Sequence, residues 1–148
     1  MNYCQNYNVF RDLIKDIKIA MLSTQDHLGC IRSIPMMTMK TECEGVVWFF
    51  TNFNTEKVSE IRENRCVNLA YTDVERGIYV SVSGKAEIVN NRSKMQEMWK
   101  PWLNEWISAG LEDESLALLK IHMEKIEYWN EEEGKMVQIW DQSQAVYS

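Results

Sequence analysis

Two short stretches hold the residues whose types and spacing could do chemistry. The first is Arg32-Ser33-Ile34-Pro35-Met36-Met37. A charged side chain on an apolar run is costly to bury alone, so Arg32 must reach water or meet an anion. Pro35 cannot donate to a sheet ladder, which puts the run at an edge or a bulge, where backbone groups are free for a ligand. The second stretch, Phe50-Thr51-Asn52-Phe53-Asn54-Thr55-Glu56-Lys57, runs from a strand through a polar loop into the start of a helix. A helix start offers unpaired N–H groups and partial positive charge, which suits a phosphate. Lys57 falls in the first turn, where the dipole opposes a cation unless an anion is shared. Each stretch also has an ordinary reading, an edge strand with a snorkelling arginine or a capped helix with a solvated lysine.

The elements that must position these residues follow from periodicity. Val9, Phe10, Leu13, Ile14 and Ile17 recur at helical spacing and predict a helix over Tyr7 to Asp16. Strands follow at Ile19 to Thr24, Cys30 to Lys40 and Val46 to Thr51, the last a continuous apolar run that reads as central. The loop Gln25 to Gly29 joins the first two as a hairpin, and Thr41 to Gly45 turns into the third. Asn54 or Thr55 caps a helix through Asn64, with Val58 and Ile61 on its buried face. Strands at Cys66 to Thr72 and Ile78 to Val89 come next, the second bending at Gly84.

Met95, Met98, Trp99, Trp102, Leu103, Trp106 and Ile107 form a helical stripe, which Pro101 should split. The stripe reads as helix-to-barrel core, with Trp102 or Trp106 bordering a ligand as the alternative. Another helical turn or two is expected in Leu111 to Leu118. Leu119, Ile121 and Met123 are out of phase with Ile126 and Tyr128, so a bulge is expected near Glu124-Lys125. A turn through Glu131 to Gly134 leads into a last strand, Met136 to Trp140. The order describes an α+β chain dominated by antiparallel sheet, for which a barrel removes most edges.

The 148 residues suit one domain with a core that needs no staples, and 45% hydrophobic composition with only two prolines excludes disordered and low-complexity classes. Sixteen basic against 22 acidic residues leave a charge of −6, which argues against a general nucleic-acid or anionic-membrane binder. An anionic ligand therefore needs a local basic cluster. No apolar run reaches the roughly 18–20 residues of a membrane span. Cys4, Cys30, Cys43 and Cys66 show no metal-ligand spacing, and His27 and His122 lie far apart, so neither disulfides nor a metal is expected and the location reads as cytoplasmic.

Taken together, the motifs resemble the FMN-binding split-barrel family of pyridoxamine 5'-phosphate oxidase-like proteins, in its general stress protein branch. The likeness runs from about Phe10 to Trp129. It rests on Arg32-Ser33-Ile34-Pro35-Met36, Trp48-Phe49-Phe50-Thr51 with Lys57-Val58 six residues on, Tyr79-Val80-Ser81-Val82-Ser83-Gly84-Lys85-Ala86, and Glu127-Tyr128-Trp129. It implies a single domain, residues 1–148, forming a six-stranded antiparallel split β-barrel with flanking helices. That barrel would dimerise with FMN in grooves between subunits. By this resemblance Arg32, Ser33, Ile34, Pro35, Met36 and Met37 line the flavin, and Phe50 and Thr51 flank it. Thr55, Lys57 and Arg32 receive the phosphate, which carries about −1.5 to −2 charges. Tyr79, and Trp129 from the partner subunit, approach the ring.

The departures bear on substrate. The oxidases of this family end in an Arg- and His-containing signature that grips a phosphorylated substrate. Here the matching tail is Asn130-Glu131-Glu132-Glu133-Gly134, whose acidic run would repel one. Met37 stands where the oxidases carry a lysine, and Ile34 stands where the stress-protein branch commonly carries an arginine. The resemblance thus implies a flavin-dependent oxidoreductase other than a vitamin B6 oxidase, acting on an unidentified small molecule. The alternatives are a non-enzymatic flavin-binding stress protein or sensor, or a barrel that holds a deazaflavin or haem.

Overall fold

The computed structural model describes residues 3–42, 44–52, 54–107 and 109–142. Helix α1 (Tyr3–Ile14) begins earlier and ends sooner than the apolar spacing predicts. Its end is fixed by a turn in which the Ile17 N–H donates to the Ile14 carbonyl. Tyr7, Phe10 and Ile14 are buried on one face, and Phe10 meets Tyr71 edge-on with centroids 5.9 Å apart.

Strands β1 (Ile19–Gln25) and β2 (Ile31–Met37) form the first hairpin. In its loop one Asp26 carboxylate oxygen accepts the N–H groups of Leu28 and Cys30. Gly29 supplies the positive φ of 83° that this turn requires. The single strand expected over Cys30 to Lys40 is divided, and β3 (Lys40–Glu42) pairs instead with β4 (Val46–Asn52). At the division the Thr38 N–H still donates to Lys18, whereas the Met39 N–H donates to Trp48 of β4. The chain thereby exchanges one sheet neighbour for another. Helix α2 (Glu56–Glu63), β5 (Cys66–Asp73) and β6 (Ile78–Val89) follow, and Val58 and Ile61 are buried as their spacing requires.

All strands join one antiparallel sheet in the order β2-β1-β5-β6-β7-β4-β3, with β7 (Leu116–Asn130) also pairing β8 (Lys135–Asp141). Because β2 and β3 are consecutive in the chain, the two ends of this order approach each other and the sheet rolls into a split barrel. Among the described residues there are eight strands, because the second of the seven expected from periodicity contributes two, while β8 is the expected last strand. Pro35 lies on terminal strand β2, as an edge position allows. Strand β4 is not central. Its continuous apolar run arises because both faces are covered: Val47 and Phe49 enter the barrel core, while Val46 and Trp48 enter a second cluster outside it.

Helix α3 (Arg92–Met98), capped by the Asn91 side chain, roofs that outer cluster with Met95 and Met98. Pro101 ends the α-helical path as expected, and a 3-10 turn spans Pro101–Glu105. The change of period corrects the expected tryptophan core: Trp99 packs in the outer cluster, but Trp102 and Trp106 are 48% and 69% exposed. Leu103 takes the buried position instead. The helix expected in Leu111 to Leu118 is also absent beyond a 3-10 turn at Gly110–Glu112. There the Asp113 carboxylate accepts both the N–H and the hydroxyl of Ser115, closing a turn into β7.

The expected bulge is present. Gly84 pairs with Met123 and Ser83 with Lys125, so Glu124 is the extra residue that restores Ile126 and Tyr128 to the inner face. At the same row a Cβ on Gly84 would lie 2.3 Å from the His122 carbonyl oxygen, a backbone atom that cannot step aside. Gly84→Ala should therefore destabilise the protein by about 1–3 kcal/mol, from strain in the β6–β7 ladder. Chemical denaturation of the two proteins measures this directly, and an unchanged midpoint would contradict the close approach.

Candidate functional site

The site is built where β2, β4 and the start of α2 converge. Alternation along β2 puts Arg32 opposite buried Thr24 of β1. Its guanidinium Nε lies 3.3 Å from a carboxylate oxygen of Glu60, a residue only 8% exposed. The other Glu60 oxygen accepts the Thr24 hydroxyl at 2.5 Å. A carboxylate this enclosed needs a cation, so Arg32 is committed to it. A second arginine nitrogen pairs with Glu56, whose side chain is largely in water and therefore an easily exchanged partner.

Lys57 is different. It is half-buried in the first turn of α2, with its Nζ 3.5 Å from the Met36 sulfur. Among the described residues it forms no ion pair. Burial pushes its ammonium pKa below the ordinary lysine range. Thr55 stands at the N-cap of α2, but its hydroxyl donates back to the Asn52 carbonyl at 3.0 Å and caps nothing. Thr51 is 6% exposed, and its buried hydroxyl has no hydrogen-bond partner among the described residues. The uncapped helix start and the unpaired ammonium share the first turn of α2, and the orphaned hydroxyl lies on adjoining β4; each is a feature that an anionic, hydrogen-bonding group would satisfy.

Beside this corner lies a groove of about 320 Å³ that brings together Pro35, Met36, Met37 and Phe50, with Trp106 and Ile107 of the outer layer. Phe50 is held edge-on against Trp99 at 5.4 Å. Ser33 turns to the outer sheet face and hydrogen-bonds Ser23, while Ile34 packs against the barrel core, so neither side chain lines the groove. Tyr79 and Trp129 share a different cleft, at the start of β6 and the end of β7, with Tyr128 and Asn130. Within one chain they are not part of the groove.

The carboxylates of Glu56 and Glu60 are the residues that sequence reasoning missed. Two cations and two carboxylates make the corner neutral before any ligand arrives. The available signal was their i, i+4 spacing, which puts both on the α2 face that Arg32 reaches.

Fold and corner together define a split-barrel protein whose groove ends at a helix start carrying an unpaired cation. The chain belongs to the pyridoxamine 5'-phosphate oxidase-like family, whose pattern it matches over residues 5–147. Among solved structures it is similar to a protein related to general stress protein 26 from Clostridium acetobutylicum, with a TM-score of 0.80 and 19% identity over 97% of this chain and 99% of that one. It also resembles the general stress FMN/FAD binding protein from Xanthomonas citri, with a TM-score of 0.72 and 22% identity over 84% of this chain and 88% of the other. Protein bli-3 of Neurospora crassa is 25% identical over 134 residues, which is 84% of this chain and 64% of that longer protein. The chain thus spans less than two-thirds of that relative.

The unpaired ammonium has a measurable cost. Lys57→Met should raise the stability of the ligand-free protein by about 0.5–1 kcal/mol, by removing a desolvated charge that the helix dipole opposes. The sign follows from the lowered pKa: the folded state binds this proton less tightly than the unfolded chain, so wild-type stability from this group rises with pH. The advantage of the variant should be full near neutrality and vanish as pH reaches the ordinary lysine range. Thermal melts of both proteins across that range check it, and a gap that widens with pH would reverse the assignment.

Proposed function

We propose that the protein binds FMN in the groove between β2 and β4, with the phosphate at the first turn of α2, and serves as a flavin-dependent oxidoreductase. The observation that carries this reading is the half-buried Lys57 ammonium, which has a sulfur for a neighbour and, among the described residues, no carboxylate partner. The orphaned Thr51 hydroxyl supports it, as a buried polar atom awaiting a partner. Pro35, Met36, Met37 and Phe50 would cover the ring system, and backbone groups of edge strand β2 would bond its polar rim. When bound, the flavin supplies hydride and electron transfer, and the protein supplies position and local charge. The family membership and the flavin binding of the Xanthomonas citri relative agree with it.

A cytoplasmic homodimer is part of the same proposal. The outer face of β1 presents Ile19 and Met21 to solvent beside Ala70 of β5, and Trp129 and Met136 are exposed further along the sheet. Exposed apolar side chains of this kind, with the Lys125–Glu127 pair between them, are what a second copy would cover. Tyr79 and Trp129, distant from the groove within one chain, would reach a flavin across such an interface. Arg32, Ser33, Ile34 and Thr55 remain part of the proposed cofactor contact, through backbone or through displacement of Glu56.

Titrating the protein with FMN and with riboflavin, followed by flavin fluorescence, tests the reading. The phosphate should improve binding by about 1–3 kcal/mol in the wild type, and Lys57→Met should remove that difference. Glu56→Gln should tighten FMN by about 0.3–1 kcal/mol and leave riboflavin unchanged, since it frees part of Arg32 and removes a like charge. Equal affinity for FMN and riboflavin would refute the phosphate site. A visible spectrum of the protein as isolated distinguishes flavin from deazaflavin and haem, and NADPH-driven bleaching of bound flavin distinguishes an enzyme from a passive binder.

A further inference from the structure

Beside the groove lies a second cavity, about 660 Å³ between the end of α1, the Thr38–Met39 crossing and the 3-10 turn at Pro101–Glu105. That volume is the size of a small-molecule site. Every charged side chain on its wall is a cation: Arg11, Lys15, Lys18 and Lys40. Lys40 is already satisfied by Glu97 at 3.3 Å. Arg11, Lys15 and Lys18 form no ion pair among the described residues, and Arg11 is turned over the Tyr7 ring instead. Three uncompensated cations facing one cavity are unusual on a chain of net charge −6.

The opposite wall is aromatic. Trp102 and Trp106 both line the cavity, and they are among the most exposed large apolar side chains of the molecule. Helix-dipole complementarity would account for Arg11 and Lys15 near the end of α1. It does not account for Lys18, which follows the helix, nor for two indoles left uncovered opposite the cations.

We infer that this cavity binds a small planar aromatic anion, a carboxylate or sulfonate, with the ring against Trp102 and Trp106 and the charge on Arg11, Lys15 and Lys18. A flat ring matches indole faces, and a dispersed anion matches three cations better than a neutral ligand would. Met37 and Met39 floor the cavity and adapt to the ring. The three cations lie outside the phosphate corner, but the cavity shares Met37, Met39 and Trp106 with the groove, so the two ligands are tested separately.

The test uses the full chain without added flavin, titrated calorimetrically with 2-naphthoate and with the neutral 2-naphthalenemethanol. The acid should bind about tenfold or more tightly than the alcohol, by the charge-assisted contacts. The double variant Lys15→Glu, Lys18→Glu, at two solvent-exposed positions, should erase or invert that preference while the alcohol binds as before. Trp106→Ala should weaken both ligands several-fold. Circular dichroism confirms that each variant is folded. Failure of the acid to bind, equal binding of the two compounds, or a preference that survives charge reversal would each overturn the inference. Loss of FMN binding in a separate titration would leave it standing.

Discussion

Between Met37 and Lys40 the backbone releases β1 and takes hold of β4, and the rest of the molecule is arranged around that exchange. Two N–H groups one residue apart donate in different directions, Thr38 to Lys18 and Met39 to Trp48. Backbone polar groups that leave one ladder must enter another, so the crossing is possible only where the two ends of the sheet lie within one peptide of each other. This contact makes a barrel out of an open sheet. It also leaves β2 unpaired on its far side, where Pro35 needs no partner and the groove has access to backbone.

Electrostatics then sets the two cations of the corner apart. Arg32 balances an enclosed carboxylate, and the Thr24 hydroxyl completes that carboxylate's shell. Lys57 has no such duty. Among the described residues this charge, held half out of water next to a thioether, has no salt bridge that an incoming anion would first have to break. The division of labour follows from burial: the carboxylate on α2 that water cannot reach claims its arginine, and the one that water can reach does not hold it tightly.

Much of the architecture was legible because period and burial coincide. The alternation of Val67, Leu69 and Tyr71 and the phase slip between Met123 and Ile126 translate directly into strand faces and a bulge. Two of the failures share one cause, a second apolar layer that local pattern cannot announce. Val46 to Phe50 looked central because α3 covers its outer side, and Leu116 to Leu118 looked helical for a similar reason. In the site, Lys57 and Thr51 were visible as residue types at a strand-to-helix junction. The neutralising carboxylates were not, because their effect depends on how the α2 axis sits relative to β2. The pairing of Tyr79 with Trp129 in a separate cleft likewise depends on sheet order, which spacing alone does not reveal.

The outer layer has a consequence for how such a protein diversifies. The described residues between β6 and β7 rest on the barrel through Met95, Met98, Trp99, Ile107 and Leu111, and the two strands that flank them are already zipped together. That segment can be lengthened, shortened or re-lettered without disturbing the inner core. Yet it supplies Leu103, Trp106 and Ile107 to the groove and Trp102 to the neighbouring cavity. A lineage could thus retain the barrel as an inherited frame and acquire new small-molecule tastes by editing a single insert.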